Sequence, residues 1–368
     1  MLSGPVGVVT DLDGTVVFGG VADPRLAPFL RRAAGCEDIS VIVATSRAPR
    51  GMVEVLGDAV TCLEGSVCLN GALLCLGDKE RRYPMSADHV RAVVDAAFRA
   101  GMPLYVDQGH SFTALAGHDP LAEPSSRAVS AAVSDVAASP GAVAEKETRR
   151  RGGQDSETAP GLWDGLEHMR DYPDGKWYTD PAQVPTEDVL KVTVVSRRYQ
   201  GRAGQDIIRQ RIADPLQGAS GTRAAGAQET GGPEPADTLQ DLLGLRLDGV
   251  VAYPHEDGVV DVCAAGVDKS VCMRLPTGEE ELAASGWADT SGRTAVMGQT
   301  PGLRHRPVST WVAVGNDAND VAMIRAADIG VIVGDGLEEV RARRQTVRVP
   351  SRPGAVVSIL EQLLELHH

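Results

Sequence analysis

The sequence predicts an α/β fold in which a parallel-sheet core is interrupted by an inserted α+β domain, and three observations carry that expectation. Four continuously apolar runs each end in polar or glycine residues. The texture of the chain changes between the second and third of them, where strand candidates become shorter and alternate with helical stretches. At 368 residues, 43% of them hydrophobic, the chain is long enough for two compact domains.

The first run lies within Pro5 to Val17. Val6, Val8 and Val9 lead straight into a carboxylate-rich turn at Asp11, Asp13 and Gly14, which is how a strand buried on both faces of a parallel sheet reads. Ser40 to Ala44 is the second run and ends at Thr45, Ser46 and Arg47, ahead of a helical stretch through Met52, Val55 and Leu56. Trp311 to Val314 ends at Gly315, Asn316 and Asp317, before a helix carrying Val321, Met323 and Ile324, and Ile329 to Val333 ends at Gly334. Ligand sites of open parallel sheets lie beyond the carboxyl ends of the strands. These endings, distant in sequence, are therefore expected to converge.

Between about Ala72 and Val262 the strand candidates are Leu73 to Leu76, Leu104 to Val106, Val192 to Ser196 and Gly249 to Tyr253. Helical stretches at Ala87 to Ala100 and Gln205 to Ile212 alternate with them. The expected division is 1–71 plus 263–368 for the core and 72–262 for the insert. Three stretches, Pro140 to Gly161, Gln217 to Asp237 and Pro276 to Pro307, lack apolar periodicity and read as irregular surface excursions. No internal repeat is present.

Charge narrows the class of partner. Thirty-six Lys and Arg stand against 50 Asp and Glu, a net charge of −14, so the average surface repels polyanions and predicts neither a nucleic-acid nor an anionic-membrane partner. A small-molecule phosphate would have to be held locally. The chain runs from Met1 into a strand pattern with no basic lead, and nowhere do about 18 apolar residues follow one another, so a soluble cytoplasmic protein is expected. Six cysteines, Cys36, Cys62, Cys68, Cys75, Cys263 and Cys272, lie mostly in apolar runs without metal-site or redox spacing. They read as reduced thiols. Nothing in the sequence sets an oligomeric state.

The strongest chemical signal is Asp11-Leu12-Asp13-Gly14-Thr15 directly after a buried strand. Two carboxylates about 4 Å apart repel by about 4 kcal/mol at an effective dielectric of 20, so such a pair calls for a cation, a shared proton or strong donors. Magnesium suits an all-oxygen site with room for phosphate; an Asx-turn is the simpler account of an Asp-Gly. A second acidic group, Asn316-Asp317-Ala318-Asn319-Asp320, could complete a metal site from a neighbouring strand end, while helix capping explains one of its residues but not the cluster. Lys269, in Gly266-Val267-Asp268-Lys269-Ser270, could neutralise a phosphate oxygen or simply be solvated. The stretch is no nucleotide-binding loop, since Asp268 stands where the glycine before Lys-Ser belongs. Thr45 can donate to a phosphate oxygen or cap the next helix. Gly109-His110-Ser111-Phe112-Thr113 lacks the closing glycine of a serine-hydrolase elbow, and His255-Glu256 has no second histidine at metalloprotease spacing.

Taken in order, Asp11-Leu12-Asp13-Gly14-Thr15, Ala44-Thr45-Ser46-Arg47, Lys269 and Gly315-Asn316-Asp317-Ala318-Asn319-Asp320 resemble the four motifs of the haloacid dehalogenase superfamily of phosphatases. Leu69-Asn70-Gly71-Ala72 is similar to the strand ending that precedes the cap in its Cof-type sugar-phosphate phosphatases, the branch with a C2-type (IIB) cap. The resemblance covers about Val6 to Ala72 and Val262 to Leu360. It implies a Rossmann-like core with an inserted cap domain, and a magnesium-dependent phosphatase of sugar phosphates or related monoesters working through an aspartyl-phosphate. By that resemblance Asp11 is the nucleophile and Asp13 the general acid, then base. Thr45, Ser46, Arg47, Asn70, Lys269 and Asn319 would hold substrate, and Asp11, Asp13, Asn316, Asp317 and Asp320 would surround the metal.

The chain departs from the pattern at three places, one of them the stretch from Pro276 to Pro307, which is longer than the family's usual connection. Gly315-Asn316 stands where the family has Gly-Asp, so either Asp317 replaces the usual carboxylate or Asn316 ligates through its oxygen. Thr45-Ser46-Arg47 replaces Thr-Gly-Arg. Two rival functions keep the same fold: a phosphosugar mutase with the same nucleophile, and a non-catalytic phosphosugar-binding regulatory protein. Arg197, Arg198, His255 and Glu256 are candidates for lining the site from the cap, an exposed charged face being the simpler account of each.

Overall fold

A computed structural model of the chain describes residues 4–77, 79–115, 175–200, 239, 243–255, 257–274, 288–289 and 308–366. Its strands, in chain order, begin with β1 (Val6–Thr10), a hairpin of β2 (Val17–Phe18) and β3 (Val21–Ala22), β4 (Ile39–Ala44), β5 (Gly65–Cys68), β6 (Leu73–Leu76) and β7 (Lys79–Arg82). There follow β8 (Leu104–Asp107), β9 (Phe112–Leu115), β10 (Gly175–Tyr178), β11 (Lys191–Gln200), β12 (Val250–Pro254) and β13 (Asp257–Ala264). The last four are β14 (Ala288–Asp289), β15 (Thr310–Gly315), β16 (Ile329–Val333) and β17 (Gln345–Val349).

A nine-stranded sheet runs in the order β14-β7-β6-β5-β4-β1-β15-β16-β17. The four apolar runs of the sequence are its adjacent central strands, β4, β1, β15 and β16, all parallel. Every residue of β1 and β16 is buried, because both faces of this sheet are covered. Side chains alternate between two apolar layers. Val8, Val43 and Val312 point into one layer, shared with Phe29 and Leu30; Val9, Ile42 and Ala313 point into the other, shared with Met323 and Ile324. Helix α1 (Leu26–Ala34) buries Leu26, Phe29, Leu30 and Ala33, the spacing of one helical stripe.

The edges of this sheet differ from expectation. Leu73–Leu76, assigned above to the insert, pairs antiparallel with β5, and Lys79–Arg82 pairs antiparallel with β6, so the core sheet continues past residue 72. The cause is a tight reversal at Asn70 and Gly71, both at positive φ, which folds the chain back along β5. At Gly71 a Cβ would stand 2.4 Å from the Asp268 carbonyl oxygen, leaving glycine as the only fit. Ala288–Asp289, inside a stretch expected to be irregular, adds a short strand to β7.

The second sheet, β10-β9-β8-β11-β13-β12, has six strands. Helix α2 (Pro49–Leu56) belongs to the core side, while α3 (Ala87–Arg99) covers one face of the second sheet with Val90, Val93, Val94 and Ala97 against Val106, Val192, Val194, Val260 and Val262. Residues of opposite parity on the same strands, Asp107, Lys191, Thr193 and Asp261, are polar, yet each is at most 4% exposed. The core covers that face. No helix among the described residues is long and apolar enough to cross a membrane. Gln205–Ile212, residues 140–161 and 217–237, the rest of 276–307, Glu256 and the side chains of Arg197 and Arg198 lie outside the described residues.

Candidate active site

Parallel register brings the strand tips together: Thr10 is level with Val43 of β4 and Val314 of β15, so Asp11, Thr45 and Asn316 leave the sheet side by side. Asp11 is 5% exposed and Lys269 1%. The Lys269 ammonium donates to Asp11 Oδ1 and to Asp320 Oδ1, both at 2.7 Å. Lys269 opens a short 3-10 turn, Lys269–Arg274, and is a buried ion rather than a solvated one. Asp320 Oδ2 in turn accepts the backbone N–H groups of Asn316 and Asp317, which fixes the β15 tip; a Cβ at Gly315 would collide with the Asp320 side chain at 2.5 Å.

Thr15 Oγ1 donates to Asp11 Oδ2 at 2.9 Å. Asp11 is pushed up to about 7, first by burial and then by the nearby Asp320 charge, against the lowering pull of Lys269 and Thr15. Burial alone would pull Lys269 down, but Asp11 and Asp320 outweigh it and hold the ammonium above its ordinary value. The nucleophile candidate is thus a buried carboxylate that shares a firmly charged lysine with a second carboxylate.

Asp13 faces outward, its carboxylate gripped by Arg47 through Nε at 2.7 Å and Nη2 at 2.8 Å. Thr45 Oγ1 accepts the Arg47 backbone N–H at 3.1 Å, a turn contact and not a helix cap, since α2 begins at Pro49 behind Ala48 and has no side-chain cap. Asn70 Oδ1 accepts from Asn319 Nδ2 at 3.0 Å, and Asn70 Nδ2 donates to Asp261 Oδ2 at 2.9 Å. Asn319 Oδ1, buried, has no hydrogen-bond partner among the described residues. Thr45, Arg47, Asn70, Lys269 and Asn319 therefore share one region with Asp11, and Ser46 contributes its carbonyl to Lys191 at 3.0 Å.

The second sheet supplies Lys191, Thr193 and Asp261, which the sequence did not mark, and His255, which it named as a candidate for lining the site. Asp261 on β13 accepts from Thr193 (2.7 Å), Asn70 (2.9 Å), Lys191 (3.2 Å) and His255 (3.2 Å). Burial would raise this carboxyl, but Lys191 and His255 overcome it and hold Asp261 below the usual carboxylate range. His255, only 18% exposed, also reaches Asp317 Oδ2 at 3.5 Å. Its hydrogen bonds to the two aspartates outweigh burial and raise it to about 10, so the imidazolium is a buried link between the sheets, not an exposed charge. Arg50 of α2 adds a 2.6 Å ion pair to Asp107 of β8.

A divalent cation can be tested against these donors. Asp317 is committed to His255 and to the Ala318 N–H, and Asp320 to Lys269 and two backbone amides, so neither sequence expectation of a metal carboxylate there is met by a free oxygen. Among the described residues no three His, Cys, Asp or Glu side chains gather as a metal-binding group. One terminal atom of the Asn316 carboxamide, however, lies 3.2 Å from Asp11 Oδ2, 3.1 Å from the Asp13 carbonyl oxygen and 3.0 Å from Thr15 Oγ1. Ligand oxygens around magnesium at about 2.1 Å are about 3.0 Å apart on an octahedral edge. Asp11 Oδ2 and the Asp13 carbonyl each stand at about that spacing from an inward Asn316 oxygen, a donor set with one charged ligand that suits such an ion.

Comparison with known proteins settles the fold. A subclass IIB sugar phosphatase of the haloacid dehalogenase superfamily superposes with a TM-score of 0.54 at 14% identity, covering 97% of this chain and 98% of that one. This chain has the haloacid dehalogenase fold. A phosphatase of that superfamily from Bacteroides thetaiotaomicron matches at a TM-score of 0.52 and 14% identity, over 97% of this chain and 94% of the other. A protein of Streptococcus mutans UA159 matches at 0.58 and 13%, over 98% of both chains. No family model matches the sequence, and no curated protein matches it. Within the haloacid dehalogenase fold the nine-stranded sheet is the core.

Proposed function

We propose that the chain is a phosphatase that hydrolyses a small phosphate monoester, a sugar phosphate or phosphorylated sugar conjugate, through an aspartyl-phosphate on Asp11, with the second sheet as its cap. The observation that carries this reading is the Asp11–Lys269–Asp320 cluster. A buried carboxylate sits beside a buried ammonium that it shares with a second carboxylate, at the end of a central strand of the sheet. Phosphatases of this fold lend support at the level of reaction class.

In the first step an Asp11 carboxylate oxygen forms a bond to phosphorus, and the bond from phosphorus to the ester oxygen breaks. Asp13 delivers a proton to that leaving oxygen, which requires its carboxyl to come away from Arg47. Water then attacks the phosphoryl group on Asp11, giving its proton to Asp13 and releasing inorganic phosphate with Asp11 restored. In this reading Lys269 and the Thr45 hydroxyl meet the phosphoryl oxygens, where charge spreads in the transition state. Asp11, the Asp13 carbonyl and Asn316 would hold a magnesium ion, which would supply charge that lets two anions approach. Lys191, His255, Asp261 and Arg50 seat the cap over the site and keep bulk water out.

The test is a phosphate-release screen of the purified chain over sugar phosphates and phosphoglycerate conjugates, with magnesium and with a chelator. Release from at least one monoester, dependent on magnesium, is expected. A panel without release, or an isomer accumulating in place of phosphate, would move the assignment to a binding protein or a mutase.

A further inference from the structure

Asn316 is placed where its carboxamide can face its neighbours in two ways, and only one of them is stable without a cation. Asp11 Oδ2 and the Asp13 carbonyl are acceptors, and Thr15 has one hydroxyl proton, on an oxygen 2.9 Å from Asp11 Oδ2 and 3.0 Å from Asn316 Oδ1, the end the structure turns inward. With the Asn316 oxygen inward, that proton is contested and acceptor faces acceptor. With the nitrogen inward, its two N–H bonds serve Thr15 Oγ1, Asp11 Oδ2 and the Asp13 carbonyl, and the hydroxyl keeps its bond to Asp11. Room for either orientation comes from Gly14. It has φ +75°, and a Cβ there would lie 2.3 Å from the other end of the carboxamide.

Resting on the reading that a divalent cation is held at Asp11, we propose that the Asn316 amide group is a built-in stand-in for that cation. Nitrogen inward, it bridges the same oxygens and keeps the metal-free site intact. Oxygen inward, it becomes a ligand. Cation binding therefore has to break the amide's hydrogen bonds and turn the group over, and it gains no ligand charge in return. The consequence is a site that is stable when empty and weak for magnesium, so that occupancy follows the magnesium concentration instead of being permanent.

The test is calorimetric titration of the full chain with magnesium chloride, together with its melting temperature in chelator, for the wild type, Asn316→Asp and Asn316→Ala. Asn316→Asp should bind magnesium at least about tenfold more tightly, since ligand charge sets affinity at such sites. In chelator it should melt below the wild type, two carboxylates having lost the amide between them, and saturating magnesium should close that gap. Asn316→Ala should lose metal-free stability as well but gain no affinity, which separates a lost bridge from a gained charge. Equal magnesium affinity in wild type and Asn316→Asp would overturn the proposal, as would an Asn316→Asp protein as stable in chelator as the wild type. None of these readouts involves turnover, so they stand apart from the outcome of the phosphate-release screen.

Discussion

Asp11 and Asp261 are both buried, and each faces a buried lysine, Lys269 in the core and Lys191 in the cap. Yet Asp11 is raised to about 7 while Asp261 is held below the usual carboxylate range. What separates them is their company. Asp261 collects donors from Lys191, Thr193, Asn70 and His255, enough to offset its lost hydration. Asp11 shares its lysine with a second carboxylate, Asp320, and accepts otherwise from the Thr15 hydroxyl and, when the Asn316 nitrogen faces it, from that amide. A well-satisfied buried carboxylate is a fastening. A poorly satisfied one can still gain from meeting a phosphoryl group, and the protein carries one of each within a single polar layer.

The two pairs should break in different ways. Lys269→Met should lower turnover on the order of 10²- to 10³-fold, as for the loss of one charge-stabilising donor at a reacting group, with KM changing less than kcat in steady-state assays. Asp261→Ala should act on the fold instead. It leaves the Lys191 ammonium buried without its carboxylate, a loss of about 3 kcal/mol or more in denaturant unfolding. If Asp261→Ala kept full stability and lost only turnover, the two aspartates would not differ in kind.

His255 gives the smallest and most specific effect. Its folded value of about 10 lies above its ordinary 6.5, so the folded protein holds this proton more tightly. The stabilisation is fully present below about pH 6.5 and is lost as pH rises through about 10. The melting-temperature difference between wild type and His255→Asn should follow that course, wide at pH 6 and nearly closed at pH 10. A constant difference across that range would mean that the imidazolium is not what joins Asp261 to Asp317.

Part of the core was legible in the sequence because Asp11, Thr45 and Asn316 follow apolar strands closely, and parallel pairing turns strand ends into neighbours. Lys269, which meets Asp11 and Asp320, was marked only by the resemblance to the superfamily motifs. The role of Asp320 in fixing Lys269 and the β15 tip was not visible, since an aspartate in a capping sequence has a local explanation. The cap was illegible for a different reason. Lys191, Thr193 and Asp261 alternate with valines, a pattern that in a lone sheet marks a solvent face, and only the core lying across that face makes them interior. His255 read as surface charge for the same reason. Leu73–Leu76 misled in the other direction: four apolar residues after a turn fit either sheet, and the reversal at Asn70 and Gly71 decides between them.

The central claim is that Asp11 takes the phosphoryl group. It is tested most directly by mixing the protein with a monoester that the screen identifies, quenching in acid within the first turnover, and mapping the modified peptide by mass spectrometry. The account predicts one phosphoryl group on Asp11, absent from an Asp11→Asn protein that is folded and inactive. Phosphate carried by any other residue, or full turnover by Asp11→Asn, would contradict it.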